Sequence, residues 1–415
     1  MSGRATKTKE RFFVHTLSNG LRCILKRVPT SAVCYCSMTI GVGSRDERKD
    51  EFGMAHLLEH TLFKGTTKRK AWQVNCRLEN LGGELNAFTT KEETVVHATV
   101  LRKDFGKAVE LMNDIIFHST FPTVEVDKEK KVIYDEIGIY KDSPDERIYD
   151  EFEELLFEGS ELGHVILGTR ASLRRHTSKK IAAFVERNYT TDRMVFAVCG
   201  PISEAQFVRE VERWFGAEPA TAKSAQRVAP KEVAHFDKEI VDKGTHQVRL
   251  VMGCRAYALD NPKRVPLILL TNMLGGPTAA SLLNVALRER NALTYCTEAL
   301  YTPLSDTGIF TIFFSCDKEN LERCREVVRA ELKKLIEVPL TPRRLALAKK
   351  QFIGQFTISA ENSEAYMLGV GKSFLAFGSV DTLGEIYARV EAITAEEVRE
   401  VAEEILGNLS SLTYL

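Results

Sequence analysis

One stretch constrains the organisation of this 415-residue chain more than any other. Residues 216–230 run from Gly216-Ala217-Glu218-Pro219-Ala220-Thr221-Ala222-Lys223 to Pro230, a low-complexity tract of Ala, Pro and Lys with few large apolar side chains. Such a tract cannot build a core, so it reads as a linker. It leaves segments of similar length on either side. The expected organisation is therefore a domain over 1–215, a linker over 216–231 and a second domain over 232–415, and a chain of this length has room for two cores.

Both halves begin alike. Phe12 to Lys26 reads as two short strands around the turn Ser18-Asn19-Gly20, and Val33 to Val42 reads as another strand. The second half opens with His246-Gln247-Val248-Arg249-Leu250-Val251-Met252, which alternates polar and apolar side chains. Helix-like segments follow at about 53–64 and 262–274, then a Gly-Gly pair in each half (Gly82-Gly83 and Gly275-Gly276), more strands and long amphipathic helices. That shared order suggests an ancient duplication. Mixed strands and helices without regular βαβ alternation predict an α+β fold: two related α/β domains, each an antiparallel-rich sheet packed with helices.

Lys+Arg and Asp+Glu both number 57, so no global charge argues for nucleic acid or an anionic membrane as partner, although a local basic patch stays open. No apolar run reaches the roughly 20 residues of a membrane helix. The first residues, Met1-Ser2-Gly3-Arg4-Ala5-Thr6-Lys7-Thr8-Lys9-Glu10-Arg11, lack the apolar core of a secretory signal. Nine cysteines, an odd number with no Cys-x-x-Cys pair, mostly in apolar surroundings, read as reduced thiols. Cys34-Tyr35-Cys36 fits strand alternation better than a metal pair. A cytoplasmic protein with neither a membrane nor a nucleic-acid partner is expected.

The chemistry concentrates in Gly53-Met54-Ala55-His56-Leu57-Leu58-Glu59-His60-Thr61-Leu62-Phe63. On a helix, His56 and His60 are i and i+4, so both imidazoles leave one face and can meet one metal ion. Glu59 lies beside them without having to ligate. A water held on zinc needs such a carboxylate to take its proton while the ion polarises a scissile carbonyl. His-x-x-Glu-His is the inverted form of the His-Glu-x-x-His zinc motif. A catalytic zinc wants three protein ligands and an open position, so a distant acid is still required. Glu125 to Lys141 is a helix-like stretch with Val132, Ile133, Ile137 and Tyr140 on its apolar side. Glu129 and Glu136 are seven apart and share a face, whereas Asp135 points about 100° away from Glu136. Spacing alone leaves open a solvated face in which these acids pair with Lys128, Lys130 and Lys131.

The pattern resembles the pitrilysin/insulinase-type zinc metallopeptidases over essentially the whole chain, most closely their short bacterial members and the mitochondrial processing peptidase beta subunit. That resemblance implies Glu136 as third ligand, since the family's ligand Glu follows the motif at about this distance, and Glu129 as its support seven residues earlier. It also implies that Gly82-Gly83-Glu84-Leu85-Asn86-Ala87-Phe88-Thr89 is the strand beside the site where a peptide adds as a further strand, with Asn86, Ala87, Phe88 and Thr89 as contacts. Leu162-Gly163-His164-Val165-Ile166-Leu167-Gly168-Thr169 matches a family segment that looks structural.

In the second half, Leu287-Arg288-Glu289-Arg290-Asn291-Ala292-Leu293-Thr294-Tyr295 resembles the family's Arg-x6-Tyr element. Arg288 and Tyr295 match the pair that contacts the substrate backbone and the developing oxyanion. Ala292 departs from the family's usual Gly, and Pro277-Thr278-Ala279-Ala280 departs from its usual polar run. The resemblance implies one zinc per chain, a peptide substrate and a homodimer rebuilding the four-domain chamber of larger relatives. The alternative is a non-catalytic scaffold or processing-complex subunit of the same family.

Overall fold

A computed structural model describes residues 12–221, 227–241 and 247–415, so residues 222–226 of the expected linker and His246 of the expected strand lie outside the described residues. The Ser18-Asn19-Gly20 turn folds as its residues favour. Gly20 takes φ 89, Asn19 Oδ1 accepts from Leu21 N at 3.1 Å, and Phe12–Thr16 (β1) pairs antiparallel with Arg22–Arg27 (β2). Val33–Ile40 (β3), Glu84–Thr89 (β4), Thr94–Leu101 (β5) and Met194–Gly200 (β6) complete a six-stranded sheet in the order β1-β2-β6-β3-β5-β4. Only β2 and β6 run parallel. Strand β4 lies at the sheet edge, paired on one side alone.

The second sheet comprises Asp237–Ile240 (β7), Val248–Ala256 (β8), Thr294–Pro303 (β9), Gly308–Cys316 (β10) and Ser410–Tyr414 (β11), ordered β7-β11-β8-β10-β9. It too is antiparallel apart from one pair, β7 with β11. Helices Met54–Leu62 (α1), Ala71–Glu79 (α2), Phe105–Phe117 (α3), Thr123–Lys141 (α4) and Pro144–Leu156 (α5) follow one another in the first half. The expected helices at 53–64 and 262–274 are α1 and Arg264–Gly275.

The described residues group into two compact units. One lies within Met1–Ile133, Ile166–Gln226 and Thr357–Ile386, the other within Tyr134–Val165, Arg227–Phe356 and Tyr387–Leu415. Each unit thus includes a segment from the far side of the linker. In the second unit, Ile148, Phe152 and Leu156 of α5 recur at helical spacing and bury against Val251, Ile309, Phe313 and Leu412 on one face of the sheet. In the first, Met367, Val370 and Phe374 of the helix Ser363–Phe377 bury against Ile24, Val195 and Ala197. Gly371 lets that helix settle: a Cβ there would come within 2.7 Å of Thr39 Oγ1. Each buried side chain of this size contributes about 1.5–3 kcal/mol, so three of them rival the net stability of a domain, about 5–15 kcal/mol. No helix among the described residues is long and apolar enough to cross a membrane. All nine cysteines are free thiols, six of them buried and Cys296 exposed.

Candidate metal centre

Helix α1 buries Met54, Ala55, Leu57, Leu58 and Leu62, which leaves His56, Glu59 and His60 on the remaining, partly exposed face. At about 100° per residue, Glu59 lies roughly 60° to one side of His56 and His60 roughly 40° to the other. The two imidazole rings are 4.7 Å apart between centroids.

The start of α1 is held from several directions. Glu47, buried in the preceding turn, accepts from Gly53 N at 2.9 Å and from Ala55 N at 2.7 Å, satisfying backbone donors that a helix start leaves open. His176 Nε2 donates to Phe52 O at 3.0 Å, and Arg187 binds both oxygens of Glu51 at 3.0 and 2.6 Å. Gly53 takes φ 85 and Gly168 takes φ 66. A Cβ on Gly168 would lie 2.6 Å from Phe52 O and 2.7 Å from Gly53 Cα, so Gly168 props the start of α1 backbone to backbone.

Helix α4 supplies the acids. Val126, Glu129, Ile133 and Ile137 form its buried stripe, with Glu136 beside them at the margin, while Asp135 is exposed. Val132, expected on the apolar side, is 44% exposed; it lies about 100° round the helix from Ile133, and Val126 occupies the stripe instead. The solvated pairs do exist, but between Glu125 and Lys128 and between Asp127 and Lys130. Glu129 turns inward: its Oε2 is 3.2 Å from His60 Nδ1 and its Oε1 is 2.8 Å from Lys64 Nζ. A carboxylate on Nδ1 fixes the tautomer that presents Nε2 to a metal.

His56, His60 and Glu136 each offer a ligand atom, and these atoms all lie within 4.8 Å of one another. Two imidazoles and one carboxylate suit zinc in its three-ligand form. Burial, and then the neighbouring His60, hold the His56 imidazole down to about 4, which keeps it in the neutral form that ligates. Burial pushes the Tyr189 phenol up, and the Glu59 carboxylate adds to that shift, so a neutral hydroxyl lies within electrostatic reach of Glu59.

The family follows from direct matches. A model described as insulinase, peptidase family M16, matches residues 22–170, and one described as peptidase M16 inactive domain matches residues 175–352. The chain belongs to peptidase family M16. Among relatives of this M16 chain, a Bacillus subtilis protein named uncharacterized zinc protease YmxG is 32% identical over 391 residues, covering 94% of this chain and 95% of that protein. A Streptomyces coelicolor protein, uncharacterized zinc protease SCO5738, is 30% identical over 406 residues, covering 96% and 88%. A solved protease from Helicobacter pylori superposes with a TM-score of 0.89 at 21% identity, over 98% of this chain and 99% of that one. It shares the two-domain M16 fold.

Strand β4, which carries four of the remaining expected site residues, packs against α1. Asn86, Ala87, Phe88 and Thr89 are on edge strand β4, opposite His97, Val96, Val95 and Thr94 of β5. Asn86 Oδ1 accepts from Ala87 N at 2.8 Å, so that N–H is turned away from the ladder. Arg288 lies in a π-helical turn, Asn284–Glu289, with its side chain 54% exposed. Tyr295 is 83% exposed on β9, an edge strand of the second sheet. Ala292, between them, takes φ 51, the left-handed conformation that glycine adopts most readily. Sequence reasoning missed Glu47 and His176: a single acid or histidine carries no spacing signal until the fold brings it to a helix start.

Proposed function

We propose that this chain is a zinc-dependent endopeptidase acting on unfolded peptides or small polypeptides. The observation that carries the reading is the approach of Glu136, from α4, to His56 and His60, which share one face of α1 with Glu59. Relatives of nearly the same length named zinc proteases support it.

When bound, zinc supplies a Lewis acid that polarises the scissile carbonyl and eases deprotonation of water. His56, His60 and Glu136 hold it, one ion per chain, and Glu129 orients His60 from behind. Glu59 takes the proton of the attacking water and delivers it to the leaving amine, so one carboxylate serves both halves of the step. Edge strand β4 offers the peptide a backbone ladder along Asn86, Ala87, Phe88 and Thr89. Asn86 swings off Ala87 N as that ladder forms.

The assembly we propose is a homodimer in which Arg288 and Tyr295 of one subunit serve the metal centre of the other. The exposure of both side chains supports this reading, because a guanidinium and a phenol that reach solvent are available to a second chain. There they donate to the substrate backbone and to the oxygen that gains charge. Nine free thiols suit a reducing, cytoplasmic setting.

The test is zinc content together with cleavage of an internally quenched peptide by the purified protein. We expect zinc near one per chain, and activity that a chelator abolishes and zinc restores. Cleavage that persists after complete metal removal would refute the proposal.

A further inference from the structure

Net charge is zero over the chain, yet one cleft of the first unit collects six cations: Arg69, Arg77, Lys103, Lys107, Arg209 and Arg213. The cleft measures about 560 Å³ and lies between α2, the start of α3 and the helix Glu204–Phe215. That size is ordinary for a small-molecule site, roughly 300–1,000 Å³. Gly106 permits the close approach of its walls, since a Cβ there would lie 2.9 Å from Glu210 Oε2.

The cations are only partly compensated. Glu110 binds Arg69 at 2.6 Å and Arg77 at 3.2 Å, and Asp114 binds Arg69 at 2.5 Å. Asp104 holds Lys107 at 2.8 Å, and Glu210 holds Arg209 at 2.9 Å. Lys103 and Arg213 have no carboxylate partner among the described residues, and Arg213 instead lies 4.9 Å from the centre of the Trp214 ring. Two further donors on the cleft lining are buried and lack an acceptor among the described residues: Arg77 Nε and Trp214 Nε1. A buried donor left without an acceptor is costly, so a small side-chain shift that opens either donor to the cleft favours a ligand that brings acceptors and negative charge together.

We propose that this cleft binds a small oligophosphate. Such an anion offers several oxygens in different directions, matches the two surplus cations, and fits within the cleft without needing an apolar pocket. Nothing in the proposed peptidase chemistry uses these residues.

Tryptophan emission gives a direct readout, because the chain has two tryptophans and Trp72→Phe leaves Trp214 as the sole reporter. Inorganic pyrophosphate titrated into that variant of the full-length protein, at constant ionic strength, should change Trp214 emission saturably. Calorimetry on the parent should give one site per chain, with Kd below about 1 mM. The double variant Lys103→Ala/Arg213→Gln removes only exposed cations without ion pairs, and should bind pyrophosphate at least about tenfold more weakly. Trp214→Phe keeps a ring but loses the donor, and should weaken binding several-fold by calorimetry. Peptide cleavage without pyrophosphate should be unchanged in all of them. Three results would each overturn the proposal: no saturable binding, equal affinity in the double variant, or an equal response to sulfate or citrate at matched ionic strength. The last would mean a diffuse counter-ion atmosphere rather than a phosphate site.

Discussion

Replacing Glu129 by Gln probes how the metal centre is held without touching a metal ligand. Glu129 is 8% exposed and uses both oxygens, Oε2 toward His60 Nδ1 at 3.2 Å and Oε1 toward Lys64 Nζ at 2.8 Å. Glutamine keeps the size but has one carbonyl oxygen. Whichever way the amide turns, its NH2 group faces a donor, either the imidazole N–H or the ammonium. If the oxygen stays on Lys64, His60 loses a charge-assisted hydrogen bond, which is about 1.5–3 kcal/mol. At 1.4 kcal/mol per factor of ten, zinc affinity should fall roughly 10–100-fold, the usual range for a partner behind a metal-ligating histidine. If the oxygen turns to His60, the loss falls on Lys64 and on the packing of α4. Competition with a chromophoric chelator measures the zinc Kd, and urea unfolding of the metal-free protein measures the cost to the fold; the metal-specific part is the difference. Zinc affinity within about twofold of the parent, in a protein that folds normally, would refute the orienting role. A loss as large as that of Glu136→Gln would make Glu129 a ligand.

Glu136→Gln should strip most zinc while the exposed Asp135→Asn leaves it bound, and equal zinc content in the two variants would remove Glu136 from the ligand set. Glu59→Gln should retain zinc but lose turnover by about 10²–10⁴-fold; zinc loss in step with activity would recast Glu59 as a ligand. Ala292→Gly relieves a left-handed alanine costing about 1–2 kcal/mol, offset by about 0.4–1 kcal/mol of extra chain entropy when unfolded. The urea midpoint should therefore rise modestly, and a lower midpoint would contradict the strain. Mixing inactive Glu59→Gln and Arg288→Ala homodimers under conditions of subunit exchange should restore about a quarter of parental activity. Proven exchange without recovery would place Arg288 within its own chain or outside the reaction.

The parts legible in the sequence are those whose partners are near in the chain. The β1–β2 hairpin followed from its turn residues, and the face shared by His56, Glu59 and His60 followed from i,i+3,i+4 geometry. Glu136 was different. Spacing along α4 favoured a solvated acidic face, and only the family resemblance singled Glu136 out; the geometry brings its carboxylate to the histidines and leaves Asp135 exposed. Ala292 was noticed as a departure, but its strain became visible only with its φ of 51. The basic cleft was illegible because its residues come from around 69–77, 103–107 and 206–214, each unremarkable alone. The helices α5 and Ser363–Phe377 fell under the general expectation of long amphipathic helices, which does not say which sheet each would cover.

That ambiguity has a consequence for how the chain is made. The first sheet has its last strand, β6, by Gly200, but the helix that covers Ile24, Val195 and Ala197 ends only at Phe377. At about 5–20 residues per second, the ribosome adds those roughly 180 residues in about 9–35 s, during which one apolar face of the nascent sheet has no cover. Synthesis therefore cannot finish the unit that carries His56, Glu59 and His60 before nearly the whole polypeptide has emerged. Cutting the gene at the linker would yield two fragments that each lack a helix the other carries. Co-expressed, they should assemble into one soluble particle; expressed singly, each should aggregate or be degraded.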